Sequence, residues 1–286
     1  MIFDYLKKQR ELIDRYIKEL LPKGKPDILF EAIEYTLSSG GKRIRPILLL
    51  ESARAVNPDI EGENIKEILV AIEFVHTYSL VHDDLPAMDD DDFRRGKLTC
   101  HKVYGEAMAV LVGDGLLTHA FHLISSNRYL SPEDLIKVIR IISEKTGLYG
   151  MIAGQAGDIL PDFEDVNFIH QHKTAKFMEA CCEIGGIVGG GDGQVQDALK
   201  NYGFSIGMAF QIWDDILDEV GDEPKLGKKV RKDKDKNKTT FPKLYDVEVS
   251  KKKAFEYVEA AVELLKIIEN RDILAQIAKF IVEREV

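Results

Sequence analysis

The spacing of the apolar residues is helical along nearly the whole chain of 286 residues. One run at steps of three and four consists of Tyr5, Leu6, Leu12, Ile13, Tyr16, Ile17, Leu20 and Leu21. Such spacing puts the side chains on one face of an α-helix. The sequence offers no convincing alternating strand pattern and no hairpin dipeptide between apolar runs. The chain is therefore predicted to be all-α, with about ten helices in one domain spanning residues 1–286.

Local signals predict where two of these helices end or begin. The segment 22–26, "PKGKP", breaks the first helix because it holds two prolines and a glycine. Ser131 is predicted as an N-cap, with Pro132 at the first helical position and Asp134 in the first turn. Gly147 is predicted to end that helix.

Composition limits the classes of partner. A hydrophobic content of 45% is enough for a core, and a net charge of -10 argues against nucleic acid, which requires a basic face. The charged N-terminal segment does not resemble a signal peptide, and no apolar run approaches the roughly 20 residues of a membrane span. We expect a cytoplasmic protein without a membrane span. Cys100, Cys181 and Cys182 fit no disulfide framework or CxxC site and are predicted as small buried side chains.

Residues 83–96, "DDLPAMDDDDFRRG", concentrate six aspartates in ten positions. An apolar helix is predicted from about Ile65 to Asp84, because Pro86 disfavours helical geometry in the residue before it. Asp83 would then lie at the negative end of the helix dipole, which costs a carboxylate about 0.3–1 kcal/mol.

A second acidic cluster, "FQIWDDILDEVGD" at 210–222, occupies the end of another apolar helix. Asp214 and Asp218 are four residues apart and share a face, with Asp215 beside them and Gln211 one turn earlier. Gly221 is a plausible helix stop. Both clusters thus place carboxylates at the negative end of a helix dipole, an arrangement that favours a hard divalent cation. Mg²⁺ is such a cation, and it binds one or two protein carboxylates together with water and phosphate oxygens.

Basic residues cluster near these acidic motifs. "GGKRIRP" at 40–46 follows a Gly-Gly turn, Arg94 and Arg95 follow the first motif, and "HKT" ends at Thr174. The segment 225–240 carries eight basic residues and is predicted to be a solvated loop. Arginine makes forked contacts with phosphate oxygens and lysine acts as a point charge, so these clusters are candidates for binding a phosphate.

Taken together, the motifs resemble those of trans-polyprenyl diphosphate synthases, and of the bacterial farnesyl diphosphate synthases in particular. The resemblance runs from about residue 38 to 242 and is carried by "GGKRIRP", "HTYSLVHDDLPAMDDDDFRRG", "HKT", "FQIWDDILD" and "KTTFP", in that order. It implies a helical bundle of the isoprenoid-synthase type around a deep apolar cavity, usually a homodimer. It also implies condensation of isopentenyl diphosphate with an allylic diphosphate, dimethylallyl or geranyl, and about three Mg²⁺ ions per site.

The resemblance assigns roles residue by residue. The metal ligands it implies are Asp83, Asp84, Asp89, Asp214 and Asp218. The allylic diphosphate would contact Arg94, Lys173, Lys228 and Lys238, and isopentenyl diphosphate would contact Lys42, Arg45, His76 and Arg95. The carbonyl of Lys173, the hydroxyl of Thr174 and the amide of Gln211 would stabilise the carbocation. Trp213 either lines the cavity or packs in the core, and Asp90–Asp92 are either solvated or position the arginines.

The product length is predicted from residues below the first motif. Ser79 lies one turn before Asp83, and Tyr78 lies about 7.5 Å along the helix, where its ring would form the floor of the cavity. The first motif also holds two extra residues, around Pro86 and Ala87, relative to the shorter DDxxD form. This combination resembles bacterial farnesyl diphosphate synthases, and the resemblance implies farnesyl diphosphate as the product. Geranylgeranyl diphosphate is the alternative product, and ordinary core packing is the alternative role of Tyr78.

Other classes remain open at this point. A non-catalytic prenyl-diphosphate-binding subunit usually lacks one acidic motif, and both are present here. A phosphohydrolase would need further metal ligands beside His82 and Asp83, and a terpene cyclase would not need a second diphosphate site. His119 and His122 are three apart on an apolar helix and are expected to be a core or interface pair rather than a Zn²⁺ site.

Overall fold

Helices account for nearly all of the regular structure in the computed structural model, which describes residues 2–160, 162–220 and 240–284. The α-helices are α1 (Ile2–Glu19), α2 (Asp27–Leu37), α3 (Ile44–Val56), α4 (Lys66–Asp83), α5 (Cys100–Tyr104), α6 (Glu106–Ser126), α7 (Pro132–Thr146), α8 (Met151–Ile159), α9 (Val166–Ile169), α10 (Lys176–Val188), α11 (Gly193–Val220), α12 (Phe241–Tyr245), α13 (Val247–Leu264) and α14 (Asp272–Glu283). Short 3₁₀ turns occupy Gly62–Ile65 and Leu265–Ile267, and a π-helical turn occupies His170–Ala175. The predicted all-α class is confirmed.

Several predicted helix boundaries are confirmed. Helix α1 ends at Glu19, before the proline-rich segment. Helix α7 begins at Pro132, and the backbone N–H of Asp134 donates to the Ser131 hydroxyl oxygen at 3.1 Å, as expected of an N-cap. Helix α4 ends at Asp83, which places the first acidic motif at a helix C-terminus.

The contacts divide the chain into two compact units, and the first consists of residues 3–47 and 61–135. Its central helix is α4, where consecutive residues from Ile68 to Ile72 are fully buried. A helix that is apolar all round belongs in a core. Helix α6 approaches α4 at Gly113, where a Cβ would lie 2.0 Å from Nε2 of His82. The missing side chain is therefore what admits the last turn of α4.

The second unit consists of residues 48–60 and the described residues from 136 onward. Its central helix is α11, which packs against α10 and α13. The buried Tyr202 hydroxyl donates to the carbonyl of Leu274 at 2.8 Å. Gly207 lets α11 approach the π-helical turn closely, because a Cβ there would lie 2.5 Å from Cα of Ala175. This packing fixes the helix that carries the second acidic motif.

One small hairpin corrects the expectation that the sequence contains no hairpin. Strands β1 (Phe93–Arg94) and β2 (Lys97–Leu98) pair antiparallel, with Arg94 opposite Lys97. The turn residues Arg95 and Gly96 both have positive φ, 54° and 77°, as a type I′ turn requires. The usual Asn-Gly or Asp-Gly signal is absent, and the strands have two residues each, so the alternation that marks a strand had no room to develop.

Two further expectations concern the cysteines and the absence of a membrane-spanning helix. All three cysteines are buried and none forms a disulfide bond, as predicted. Helix α6 is long and apolar enough to cross a membrane by length and composition alone, although the core helix of a soluble protein passes the same test. Among the described residues it is the one helix of this kind. The expectation that the chain lacks a membrane span therefore remains a prediction.

Candidate active site

The first acidic motif folds back on the end of α4. The backbone N–H of Asp89 donates to the carbonyl of Asp83 at 2.8 Å, and that of Asp91 donates to the carbonyl of Asp84 at 3.3 Å. Asp90 adopts a positive φ of 51°, which aspartate tolerates better than most residues. The loop thus brings the backbone of Asp89 next to that of Asp83, although five residues separate them in sequence.

Asp84 and Arg94 form an ion pair in the same unit. The Arg94 guanidinium donates to both carboxylate oxygens of Asp84, at 2.6–2.9 Å. Burial raises the pKa of Asp84, and the contact with Arg94 opposes that rise. Both residues are candidates from the sequence, for the metal and for the diphosphate respectively. Direct binding of a metal by Asp84 would require this pair to open.

The "GGKRIRP" segment contributes a second basic region to this unit. Arg45 Nη1 lies 3.4 Å from Nε2 of His76, on α4. Burial and the positive charges of Arg45, Arg95, Arg94 and Arg43 lower the pKa of His76 well below its ordinary value. A neutral imidazole can accept a hydrogen bond from the arginine. The structure therefore brings together two of the predicted isopentenyl diphosphate ligands.

Arg95 reaches the same segment from the hairpin. Its guanidinium donates to the carbonyl of Gly40 and lies so close to Gly41 that a Cβ there would be 2.7 Å from Nη1. Gly41 also has a φ of 144°, in the region that favours glycine. These contacts place Arg95 beside the residue that precedes Lys42.

Arg43 anchors the segment and was part of the basic cluster noted in the sequence. It is buried, and it donates to Glu73 and Asp14, each at 2.8 Å, and to the carbonyl of Leu37 at 2.8 Å. Its φ is 51°, an uncommon value for arginine. Arg43 therefore holds the chain between Lys42 and Arg45 and is not itself directed at a ligand.

The residues predicted to set the product length lie on α4. Tyr78 is 6% exposed, and burial together with the charge of Asp83 raises its pKa to about 12. Its ring meets that of His82 edge-on, with centroids 5.8 Å apart. The Ser79 hydroxyl donates to the carbonyl of His76 at 2.9 Å. Tyr78 is thus a buried aromatic residue about one turn before the acidic motif, which is consistent with either predicted role.

In the second unit, α11 presents the other acidic motif. The Asp214 side chain is partly exposed and accepts a hydrogen bond from Arg284 at 2.6 Å. Asp218, one turn later, is buried. Arg284 also stacks over the ring of Phe210, with its guanidinium carbon 3.8 Å from the centroid. The contact with Arg284 could not be read from the sequence, because it joins the last described residue to a distant helix.

The π-helical turn carries Lys173 and Thr174. The Lys173 ammonium donates to Asp158 at 2.7 Å, and the Thr174 hydroxyl donates to Oε1 of Gln211 at 2.8 Å. Helix α8 approaches this turn at Gly154, where a Cβ would lie 2.1 Å from the backbone nitrogen of Lys173. Short π-helical insertions are frequent at functional sites. The hydrogen bond from Thr174 to Gln211 brings together two of the predicted catalytic side chains.

A buried cluster around Asp215 was not predicted. Asp215 accepts hydrogen bonds from Gln211 Nε2 at 3.2 Å and from the backbone N–H of Phe241 at 3.0 Å. His170 Nε2 lies 3.2 Å from its second carboxylate oxygen. The one available signal was the position of His170 four residues before Thr174, which on a regular helix would put both on one face.

Trp213 lies on α11 and packs against residues from the end of the chain. Its indole N–H donates to the carbonyl of Arg284 at 3.1 Å, and its ring meets that of Phe255 edge-on at 5.9 Å. Of the two roles left open by the sequence, packing is the one these contacts support.

The remaining histidine pair, His119 and His122, has ring centroids 5.1 Å apart, and His119 stacks on Phe74.

The carboxylates suit Mg²⁺ in kind and in number. Among the described residues, no group of three or more His, Cys, Asp or Glu side chains is placed to hold a metal ion by itself. Mg²⁺ commonly takes one or two carboxylates and completes its shell with water and phosphate oxygens. The hydrogen bond between the backbones of Asp83 and Asp89 brings these two residues close together, so their carboxylates are candidates for such a pair of oxygen donors. Lys228 and Lys238 lie outside the described residues.

Comparison with known proteins identifies the family whose members this chain is similar to. The profile described as polyprenyl synthetase matches residues 26–281. The chain is 40% identical to a farnesyl diphosphate synthase from Geobacillus stearothermophilus, covering 98% of this chain and 97% of the relative. It is also 40% identical to a geranylgeranyl diphosphate synthase from Cyanophora paradoxa, covering 99% and 96%.

Solved structures agree with the sequence relatives. A geranylgeranyl pyrophosphate synthetase from Pyrococcus horikoshii superposes with a TM-score of 0.88 at 34% identity, covering 99% of this chain and 98% of the other. A farnesyl/geranylfarnesyl (FPP/GFPP) synthase from Zymomonas mobilis superposes with a TM-score of 0.85 at 33% identity, covering 98% of both chains. The resemblance first seen in the motifs is thereby confirmed over nearly the whole sequence, and the chain belongs to the polyprenyl synthetase family of prenyltransferases.

Proposed function

We propose that the protein condenses isopentenyl diphosphate with dimethylallyl or geranyl diphosphate and releases farnesyl diphosphate. The observation that carries this proposal is the return of Asp89 onto the end of α4, which pairs it with Asp83 above a buried apolar helix. A hard-cation site at the end of an apolar core suits a substrate with a diphosphate head and a hydrocarbon tail. We further propose that residues 1–286 form one synthase domain.

The acidic residues would act on the leaving group. Asp83, Asp89, Asp214 and Asp218 would hold Mg²⁺ on the allylic diphosphate, with Asp84 contributing either directly or by orienting Arg94. When bound, Mg²⁺ neutralises the negative charge that develops as the carbon–oxygen bond to diphosphate breaks. The cationic side chains of Arg94, Lys173, Lys228 and Lys238 would neutralise the remaining charge of the same group.

The second substrate would occupy the basic region of the first unit. Lys42, Arg45, His76 and Arg95 would bind isopentenyl diphosphate. The contact between Arg45 and His76, and that of Arg95 with the Gly40 carbonyl, support a preformed anion site. A neutral His76 can accept from Arg45 and donate from its other nitrogen to a phosphate oxygen.

The carbocation step would use the π-helical turn. Because the Thr174 hydroxyl donates its proton to Gln211, its oxygen lone pairs are available to face a positive carbon. The carbonyl oxygen of Lys173 would likewise direct the negative end of its dipole at the positive carbon. The isopentenyl double bond then forms the new carbon–carbon bond, and a proton leaves the adjacent carbon. The departing diphosphate is the proposed acceptor of that proton.

The product length is the finer part of the proposal. Buried Tyr78, close to Asp83 on α4, supports a short cavity and farnesyl diphosphate. Geranylgeranyl diphosphate is the second candidate, because relatives named for either product are equally similar to this chain.

We also propose a homodimer in the cytoplasm. Helix α6 is apolar, yet Val110 and Leu111 on it are exposed. An apolar face of this kind is typical of a surface that a second copy covers.

The direct test is an incubation with Mg²⁺, labelled isopentenyl diphosphate and either dimethylallyl or geranyl diphosphate. The products are then hydrolysed to alcohols and sized by chromatography. Farnesol as the main product supports the proposal, and geranylgeraniol supports the second candidate. Consumption of the allylic substrate alone, without incorporation of label, contradicts both.

A further inference from the structure

We propose that Asp215 and His170 are positioning residues that set the orientation of Gln211 and Thr174 for the carbocation step. The inference rests on the proposed roles of Thr174 and Gln211, and it concerns two residues to which neither the motifs nor the comparisons assign a role. Asp215 belongs to the second acidic motif, but its contacts differ from those expected of a metal ligand.

Asp215 is 5% exposed, and within the described part of the chain three groups contact its carboxylate. One oxygen accepts from Gln211 Nε2 at 3.2 Å, and the other faces the Phe241 N–H at 3.0 Å and His170 Nε2 at 3.2 Å. A buried carboxylate with this many donors has its hydrogen-bonding capacity used inside the protein. It is therefore placed to fix its neighbours.

The carboxylate determines which way the Gln211 amide faces. An ionised carboxylate only accepts, so the NH₂ end of Gln211 must point toward Asp215. The amide oxygen then points toward Thr174, which is obliged to donate its proton to it. The lone pairs of the Thr174 oxygen are left for the positive carbon. With the amide reversed, the Thr174 hydroxyl would have to accept and would direct its positive hydrogen elsewhere.

His170 ties the π-helical turn to the same carboxylate. It is the first residue of the turn that carries Lys173 and Thr174, and it is buried. The ring of Phe241 stacks on it, with centroids 5.2 Å apart and an angle of 18° between the planes. Asp215 consequently joins α11, the π-helical turn and the first residue of α12.

A merely structural role would leave the chemistry of the folded enzyme unchanged, and this chain provides a matched control for it. Glu179 is also a buried carboxylate in the same unit, and it accepts from Lys145 at 2.9 Å. It has no part in the proposed site. Replacing either acid by its amide removes one buried charge and conserves volume, so Glu179→Gln reports the general cost of such a change.

The experiment compares Asp215→Asn, His170→Phe and Glu179→Gln with the unaltered protein. For each we would measure Tm, kcat, KM for both substrates, and the fraction of allylic diphosphate that is hydrolysed instead of condensed. We expect Asp215→Asn and His170→Phe to lower kcat by about 10- to 100-fold, the typical effect of losing a supporting hydrogen bond at a site. We expect KM to change little and the hydrolysed fraction to rise, because a less well stabilised cation is captured by water more often before the isopentenyl double bond adds to it.

A reciprocal exchange tests the orientation argument separately. Combining Gln211→Glu with Asp215→Asn lets the new amide donate to the new carboxylate, which again accepts from Thr174. We expect this double variant to recover part of the kcat lost in Asp215→Asn alone. Absence of any recovery overturns the orientation argument.

The remaining outcomes are distinguishable. If Asp215→Asn and His170→Phe behave like Glu179→Gln, with a lower Tm but unchanged kcat and hydrolysed fraction, the inference is wrong while the proposed function stands. If Thr174→Val leaves kcat unchanged, the role assigned to Thr174 fails and the inference fails with it. If the unaltered protein does not condense the two substrates, the proposed function itself fails.

Discussion

Arg284 donates a hydrogen bond to Asp214 at 2.6 Å, so a cation from the end of the chain lies on the first carboxylate of the second acidic motif. The guanidinium is buried and also donates to the carbonyl of Phe210. In the proposed mechanism, Asp214 binds Mg²⁺. Arg284 would then compete with the metal ion for the same carboxylate.

Replacing the Arg284 side chain should make the rate respond to lower Mg²⁺ concentrations. We expect Arg284→Met to lower the Mg²⁺ concentration at half-maximal rate, and to destabilise the fold by about 1.5–3 kcal/mol through lost charged hydrogen bonds. A Mg²⁺ titration of the rate and urea unfolding measure the two effects. Arg271→Met is the control, since the Arg271 guanidinium donates to the backbone carbonyls of Lys266 and Ile268. An unchanged Mg²⁺ response in Arg284→Met contradicts the competition.

The proposed metal ligands should be essential for rate but not for folding. Asp83→Asn and Asp214→Asn are each expected to lower kcat by at least about 10²-fold, because the charge on the departing diphosphate is then less well neutralised. Circular dichroism should remain that of the unaltered protein in both variants, and Tm should remain close to it in Asp83→Asn, whereas Asp214→Asn should lower Tm because Arg284 loses its counter-charge. Asp59→Asn, at an exposed position, serves as the control. Near-normal turnover in either variant would remove that aspartate from the metal site.

Product length tests the floor assigned to Tyr78. Tyr78→Ala should lengthen the product, at a cost in stability of about 3–5 kcal/mol, as for other buried aromatic residues. Chromatography of the dephosphorylated products gives the answer. Tyr16→Ala, which truncates a buried tyrosine on α1, should destabilise without altering the product. Unchanged products in Tyr78→Ala would leave Tyr78 with an ordinary packing role.

Stability should depend on pH through His76. Burial and the neighbouring arginines hold its pKa in the folded state well below the unfolded value of about 6.5. Below that pH the unfolded state binds more protons, so the free energy of unfolding falls as the pH decreases from about 6.5 toward the folded pKa. Above about pH 7.5 the effect is absent. Between pH 7.5 and pH 5.5, urea unfolding should show a smaller decrease in the free energy of unfolding for His76→Gln than for the unaltered protein. An equal decrease would contradict the assignment.

The exposed face of α6 should mediate self-association. Leu111→Glu is expected to convert a dimer into a monomer, because a carboxylate cannot be buried in an apolar interface without a partner. Size-exclusion chromatography with light scattering measures the change. Ile136→Glu alters a still more exposed apolar residue on α7 and should leave the mass unchanged. A monomeric unaltered protein would reject the proposed homodimer.

The sequence was most informative where the structure is governed by nearby residues. Apolar periodicity and Pro86 predicted the end of α4 at the first acidic motif, and Ser131 predicted the start of α7. The family resemblance was likewise visible in short motifs and is confirmed over the chain.

Pairings between distant residues were not accessible in the same way. The partners of Asp84, Asp214 and Asp215 come from a hairpin, the chain end and a π-helical turn, none of which has a strong local signal. The resemblance therefore assigned Asp84 and Asp214 to the metal without indicating these partners. In the structure, Asp84 and Asp214 pair with arginines and Asp215 contacts a histidine, and a backbone hydrogen bond joins Asp83 to Asp89.

The two-residue strand β1 allows neighbouring arginines to serve different targets. Arg94, on the strand, turns to the Asp84 carboxylate, whereas Arg95, on the tight turn, reaches the Gly40 carbonyl. On a helix, consecutive side chains diverge by only about 100°, so the same dipeptide would reach two such separate targets less readily. Because side chains alternate along a strand, one residue inserted in this ribbon would turn both arginines away from their present partners, so the contacts of Arg94 and Arg95 constrain the length of this short connection.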